Sequence, residues 1–164
     1  SGKIALVQGI MGQANTYERT DAIVATLEEK YPDIEIVLDG AADWKRDKAL
    51  ELVETWLQSG TEFDAIIALN DDAGLGCQQA LAADGKESIP VISINGDPSG
   101  INGVNDGILD STAFQAPFTQ ADAALEIAMD YIQGGTPTDV FKVDYELITK
   151  DNVADYMQFT SLEK

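Results

Sequence analysis

Residues 64–72 read Asp-Ala-Ile-Ile-Ala-Leu-Asn-Asp-Asp, a nearly continuous apolar run that ends abruptly in polar residues. Such a run is typical of a central strand of a parallel sheet, because helices cover both of its faces. Residues 90–94 read Pro-Val-Ile-Ser-Ile and are also followed by an asparagine, Asn95. Together, the two runs predict the middle of a parallel sheet.

Strand and helix patterns alternate on either side of these two runs. Further strands are predicted at 4–8, 34–38 and 111–115, and helices at 16–30, 45–59, 71–84 and 119–133. Short connections between alternating strands and helices predict an α/β fold, a doubly wound parallel sheet of the flavodoxin-like or Rossmann-like kind. We expect residues 1–164 to form a single domain. The Gly/Asn/Asp-rich stretch 95–107 predicts a loop with a short helix.

The predicted helix at 119–133 has an apolar stripe at helical spacing. Its members are Ala121, Ala124, Leu125, Ala128, Met129 and Ile132. Trp56 continues the stripe of the helix at 45–59 and is predicted to lie in the core. Cys77 sits in a Leu-x-Cys-x-x-x-Leu pattern, which predicts a small buried hydrophobe in preference to a reactive thiol.

Composition excludes several classes of function. The 29 acidic and 10 basic residues give a net charge of −19, which argues against binding to nucleic acid or anionic lipid. The chain has one cysteine and no histidine, so Ser-His and Cys-His relays and His-ligated metals are excluded. The sequence also lacks a calcium loop and a nucleotide-binding glycine motif. It therefore predicts no catalytic residue, no metal and no cofactor.

Polar and aromatic residues follow the predicted strands at their carboxyl ends, where ligands bind in sheets of this kind. Amide and guanidinium groups pair with hydroxyl groups, and an indole stacks on the apolar face of a sugar ring. This combination predicts a carbohydrate-binding site more than a catalytic one. The candidate ligand-binding residues are Gln13, Asn15, Arg19, Trp44, Asn70, Asn95 and Gln115.

Each candidate also has a purely structural interpretation. Arg19 could form a surface ion pair with Glu18 or Asp21, and Trp44 could serve local packing alone. Asn70 and Asn95 could cap the helices that follow them. The residues taken one at a time leave these alternatives open.

The sequence resembles the second half of bacterial ribose- and galactose-binding proteins, the type I periplasmic binding proteins of ABC transporters, over residues 3–158. No one segment is diagnostic, but their order and spacing are specific. They are Lys-Ile-Ala-Leu-Val-Gln-Gly at 3–9, Tyr-Glu-Arg-Thr at 17–20, Ala-Asp-Trp at 42–44, Ala-Leu-Asn-Asp-Asp-Ala-x-Leu-Gly at 68–76, Ser-Ile-Pro-Val at 88–91 and Lys-Asp-Asn-Val-Ala-Asp-Tyr at 150–156.

The resemblance implies a role for each candidate. Arg19 matches the arginine that clamps the sugar, Trp44 the stacking aromatic, and Asn70 an asparagine that bonds ring hydroxyls. Asn95 falls where the family usually has an aspartate, and this departure changes the expected hydroxyl pattern. The resemblance matches Gln115 to an amide at the crossing between lobes, and Gln13 and Asn15 to positions that vary with the sugar.

The resemblance further implies a second lobe that supplies the other wall of the cleft, with residues 116–140 crossing to that lobe or substituting for it. It implies a sugar ligand, an ABC transporter permease or chemoreceptor as partner, and a periplasmic or extracellular, lipid-anchored location. Without its second lobe, the chain is expected to associate into a homodimer through its last third. The alternatives are the effector-binding core of a LacI-like repressor and a carboxylate-dependent or flavodoxin-like enzyme.

Overall fold

The computed structural model describes residues 1–136 and 142–161. Strands and helices alternate along the chain. The elements are β1 (Gly2–Gln8), α1 (Ala14–Lys30), β2 (Ile34–Ala41), α2 (Arg46–Ser59), β3 (Ala65–Ala68), α3 (Asp71–Ala83), β4 (Val91–Asn95), α4 (Pro98–Asn105), β5 (Ser111–Phe114), α5 (Pro117–Ile132), β6 (Glu146–Thr149) and a 3₁₀ helix (Val153–Phe159).

The strands form one sheet in the order β2-β1-β3-β4-β5-β6. The first five strands are parallel, as predicted, and β3 and β4 lie in the middle. β6 was not predicted; it pairs antiparallel with β5, with Phe114 opposite Glu146. The doubly wound α/β class is therefore correct, but the sheet is mixed at one edge. A short antiparallel edge strand is common on sheets of this class.

The main core lies between one face of the sheet and the helices α2, α3 and α4, which pack side by side. Val7 and Ile66 point into it from the strands, and Trp56 and Cys77 from the helices. Trp56 and Cys77 are therefore buried as predicted. Gly76 allows close packing of α3 on α2, because a Cβ there would lie 2.2 Å from the Arg46 carbonyl oxygen.

The opposite face of the sheet carries α1, whose side chains are mostly half-buried or exposed. An apolar groove of about 700 Å³ runs between α1 and this face, where Ile4, Ile67 and Ile94 line it. Period-two alternation along the strands explains why these isoleucines point away from the main core.

α5 leaves the sheet after β5 and buries little of its own surface. Of its residues only Ala123 is buried, whereas Leu125 is 65% exposed and Ile132 is 77% exposed. The described residues thus leave the predicted apolar stripe of this helix uncovered. The segment 116–140 is expected to cross to a second lobe or to substitute for it, and its residues 137–140 lie outside the described residues.

Among the described residues, no helix has the length and apolar character needed to cross a membrane.

Candidate functional site

A cleft of about 500 Å³ opens at the carboxyl ends of the parallel strands. Asn15 and Arg19 reach it from α1, and Trp44 from the turn after β2. Its predicted polar residues are Asn15, Arg19, Asn70, Asn95 and Gln115. Asp97 and the aromatic residues Phe114, Phe118 and Phe159 complete the lining together with Gly96, Pro98 and Pro117. Six of the seven candidates, counting Trp44, therefore line one cleft; Gln13 does not line it but bonds to Trp44.

Arg19 connects the ends of two neighbouring strands. Its Nη1 donates to the carbonyl oxygen of Leu69, and its Nη2 donates to Oδ1 of Asn95 at 3.2 Å. Gln115 Nε2 donates to the same Oδ1 at 2.7 Å. Since a guanidinium can only donate, these contacts fix the orientation of the Asn95 amide. The three side chains form a connected polar row across β3, β4 and β5.

Trp44 lines the cleft next to Arg19. Its Nε1 donates to Gln13 Oε1 at 2.8 Å, and Asn70 Nδ2 donates to its carbonyl oxygen at 3.1 Å. The indole lies against the backbone of Gly9, where a Cβ would fall 2.0 Å from the ring. The Arg19 Cζ lies 5.7 Å from the ring centroid, within cation–π range. Both the indole and the guanidinium are thus held in place by neighbours.

Backbone strain is concentrated at the cleft. In the part of the chain that the structure describes, four non-glycine residues have positive φ: Asp43 at 51°, Trp44 at 65°, Asn95 at 134° and Ala116 at 49°. Trp44 and Asn95 line the cleft. Asp43 directly precedes Trp44 in the chain, and Ala116 directly follows Gln115. Such conformations persist only where surrounding contacts enforce them, and they are frequent at binding sites.

Asp71 lies directly behind the cleft, at the start of α3, and is fully buried. Its Oδ1 accepts from Ser93 Oγ and from Thr112 Oγ1, each at 2.6 Å. Its Oδ2 accepts from the backbone N–H of Asp97 at 2.8 Å. Burial raises the pKa of this carboxyl to about 6, against the lowering effect of the hydroxyl donors, and the nearby Asp97 charge raises it further.

An aromatic cluster below the cleft was not predicted from the sequence. Phe118 stacks on Phe159 with ring centroids 5.6 Å apart, and Phe114 contacts both Phe159 and Tyr156. The 3₁₀ helix carries two of these rings back to the end of β5. Asp97, another lining residue that was not predicted, does have a local signal, because Asp followed by Pro marks the start of a helix, here α4.

The structural alternatives for Arg19, Asn70 and Asn95 find little support, whereas the contacts of Trp44 with Gly9 and Gln13 leave its packing alternative open. Among the described residues, Arg19 forms no ion pair with Glu18 or Asp21 and instead bonds to Leu69 and Asn95. Asn70 occupies the N-cap position of α3, but its side chain makes no capping bond. α4 is capped by Asp97, whose side chain accepts from Ser99 N and Gly100 N, and not by Asn95.

The chemistry of the cleft is that of a binding surface. It offers one guanidinium, four side-chain amides, the Asp97 carboxylate and an indole, groups that can pair with hydroxyls and stack on a ring. Within residues 1–136 and 142–161, no three acidic, cysteine or histidine side chains are grouped so that they could hold a metal ion.

Comparison with known proteins identifies the family. The periplasmic binding protein domain matches residues 1–136. The xylitol-binding protein of Mycolicibacterium smegmatis is 36% identical over 93% of this chain and 44% of its own length. The ribose import binding protein of Escherichia coli is 30% identical over 90% of this chain and 49% of its own length. The chain thus spans about half the length of the curated relatives it matches.

Solved structures agree in fold. A solute-binding protein of an ABC transporter from Bacillus halodurans with bound myo-inositol has a TM-score of 0.86 and 34% identity, covering 97% of this chain and 55% of its own. An ABC transporter solute-binding protein from Actinobacillus succinogenes with bound D-allose has a TM-score of 0.88 and 29% identity, covering 95% and 56%. The neighbours are type I periplasmic binding proteins, and this chain belongs to the periplasmic binding protein family.

Proposed function

We propose that this chain forms one wall of a cleft that binds a monosaccharide, or a polyol or cyclitol of similar size. The proposal depends chiefly on one observation: the Trp44 indole and the Arg19–Asn95–Gln115 row line a single cleft. A sugar ring or polyol chain can present its C–H bonds to the indole and its hydroxyl groups, as paired donors and acceptors, to the amides.

The names of the relatives support the same class of ligand. One relative is named for binding xylitol and another for binding ribose. The two solved neighbours contain bound myo-inositol and D-allose. All four compounds are small, uncharged and rich in hydroxyl groups. They do not share one ring type, so the proposal is for the class and not for one member of it.

In the full-length protein we propose that the bound solute is delivered to an ABC transporter permease outside the cytoplasm. One relative is an import binding protein by name and two solved neighbours are solute-binding proteins of ABC transporters, which favours transport over the repressor core and over catalysis. For the full-length protein we further propose a chemoreceptor as an additional partner and a lipid anchor.

Titration calorimetry with xylitol, myo-inositol, D-ribose and D-allose tests the ligand class, with L-leucine as a small solute of different chemistry. Because the chain has two tryptophans, Trp56→Phe leaves Trp44 as the remaining indole and makes its fluorescence a direct report on the cleft. We expect at least one polyhydroxylated solute to bind and to shift the Trp44 emission. Binding of leucine alone would contradict the proposal.

A further inference from the structure

The carboxylate of Asp71 does not line the cleft and is fully buried behind it, so it is not placed to contact a ligand. No cation among the described residues forms an ion pair with it; its partners are two hydroxyl groups and one backbone N–H. A buried carboxylate without a counterion is unfavourable unless hydrogen bonds compensate it.

Its three partners belong to the strands and the turn that carry the cleft residues. Ser93 lies two residues before Asn95, and Asp97 lies two residues after it. Thr112 Oγ1 donates to Asp71 and at the same time accepts from the Gly96 N–H at 3.1 Å. The Asp71 carboxylate is therefore bonded, directly or through Thr112, to both residues that follow Asn95.

This arrangement explains how Asn95 keeps its strained conformation, with φ at 134°. The turn Asn95–Asp97 is held from behind by Asp71, and Asn95 Oδ1 is then presented to Arg19 and Gln115. α4 closes over the carboxylate without a gap, because a Cβ at Gly100 would lie 2.1 Å from Asp71 Oδ2. Asn70, the residue before Asp71, anchors the Trp44 side of the same cleft.

We propose that Asp71 is the positioning residue of the binding site, whose carboxylate holds the Asn95–Asp97 turn in the conformation that places Asn95 against Arg19. The ligand-affinity part of this proposal rests on the proposed function. The part that concerns the turn itself does not, because it can be measured in the absence of a ligand.

The charge state of Asp71 supplies a second readout. The elements packed against it present hydroxyl groups from β4 and β5 and one charged group, the Asp97 carboxylate at the start of α4; its neighbour Asp72 pairs with Arg46. Since burial raises the pKa to about 6, lowering the pH from 7 to 5 protonates Asp71. Its hydrogen bonds then lose their charge assistance, and the turn is held less firmly.

The experiment compares Asp71→Ala and Asp71→Asn with the wild-type full chain. Asp110→Ala is the matched control, because Asp110 Oδ2 also accepts from a backbone N–H, that of Val91, but at the opposite end of β4. Calorimetry with xylitol, myo-inositol, D-ribose and D-allose gives the affinity at pH 7 and pH 5. Hydrogen exchange of the Gly96 and Asp97 amides reports on the turn without ligand.

We expect Asp71→Ala to weaken binding by about tenfold or more, the effect of losing a charged hydrogen bond, and to accelerate exchange at Gly96 and Asp97. Asp110→Ala should leave affinity within about twofold of wild type. Wild-type affinity should fall from pH 7 to pH 5, and Asp71→Asn should remove that dependence even if Asp71→Ala does not fold.

Unchanged exchange at Gly96 and Asp97 in both Asp71 variants would overturn the proposal, as would a wild-type pH dependence that persists in Asp71→Asn. If the wild-type protein binds none of the four solutes, the proposed function fails, and the exchange measurement still decides whether Asp71 holds the turn.

Discussion

Arg19 Nη2 donates to Asn95 Oδ1 across 3.2 Å, while Nη1 of the same guanidinium donates to the Leu69 carbonyl. One planar group thereby joins the ends of β3 and β4, the two central strands. A lysine at this position would offer a single ammonium on a flexible stem and could not span both acceptors with the same geometry.

We therefore expect Arg19→Lys to weaken solute binding by about 10-fold or more, since hydrogen bonds to charged groups contribute about 1.5–3 kcal/mol. Arg46→Lys is the matched control, because Arg46 forms an exposed ion pair with Asp72, and such pairs contribute little. Calorimetric affinities of both variants measure the difference. Equal affinities for the two variants would remove Arg19 from the site.

Trp44→Ala should cost roughly 1–3 kcal/mol of binding free energy, because the indole is the aromatic anchor of the cleft. The Gln13 side chain would also lose its partner. Trp56→Phe, a change in the core, should lower the free energy of unfolding with affinity retained. The opposite pattern, with affinity lost only in the Trp56 variant, would show that Trp44 serves packing alone.

The free energy of unfolding should depend on pH through the ionisation of Asp71. Its pKa of about 6 in the folded state lies above the ordinary value of 3.8, so the folded state holds this proton more tightly than the unfolded state. Ionisation of Asp71 therefore lowers the free energy of unfolding as the pH rises from about 4 to 6, and the loss is complete above that range. A difference of two pKa units corresponds to about 3 kcal/mol at most.

Urea unfolding at pH 4, 5, 6 and 7 tests this sign. Relative to wild type, Asp71→Asn should gain stability as the pH rises, and Asp110→Asn serves as the comparison. A stability difference between wild type and Asp71→Asn that stays constant across this range would show that burial does not raise the Asp71 pKa.

Cys77 should be inert in the folded protein. It is fully buried in the main core, and burial raises the pKa of its thiol to about 12. Ellman's reagent at pH 8 should therefore label it only after unfolding in urea. Rapid stoichiometric labelling of the native protein would show that α3 opens readily around this residue.

The 164-residue chain should self-associate through α5, whose apolar stripe is uncovered among the described residues. Leu125→Lys combined with Met129→Lys should shift the sedimentation equilibrium toward monomer. Glu126→Lys changes the net charge by the same amount on the same helix and should have a much smaller effect. Monomeric wild-type protein at all concentrations would contradict this prediction.

The alternating strands and helices could be predicted because the signals are local. Continuous apolar runs identified β3 and β4, and helical spacing identified α5 to within two residues at its start and one at its end. The candidate residues could be chosen because the carboxyl end of each parallel strand meets the same edge of the sheet. The residue types themselves show which side chains can donate or accept hydrogen bonds and which can stack on a ring.

The remaining parts depend on contacts between distant segments. β6 is recognisable only through its pairing with β5, since its four residues carry no strong pattern of their own. Phe159 reaches the cleft through a 3₁₀ helix at the end of the described chain. The role of Asp71 follows from its three partners, which lie 22 to 41 residues away in the sequence.

Phe114 and Glu146 lie opposite one another where β5 pairs with β6, although 31 residues separate them in the chain. Because the two residues are opposite one another, the chain between them is topologically an insertion into a β-hairpin, and a turn of a few residues could close the same pair. Shortening this loop lowers the entropy cost of closing it. A shortened chain with such a turn would test whether the sheet folds without α5, and it would also remove Gln115 and Phe118 from the cleft.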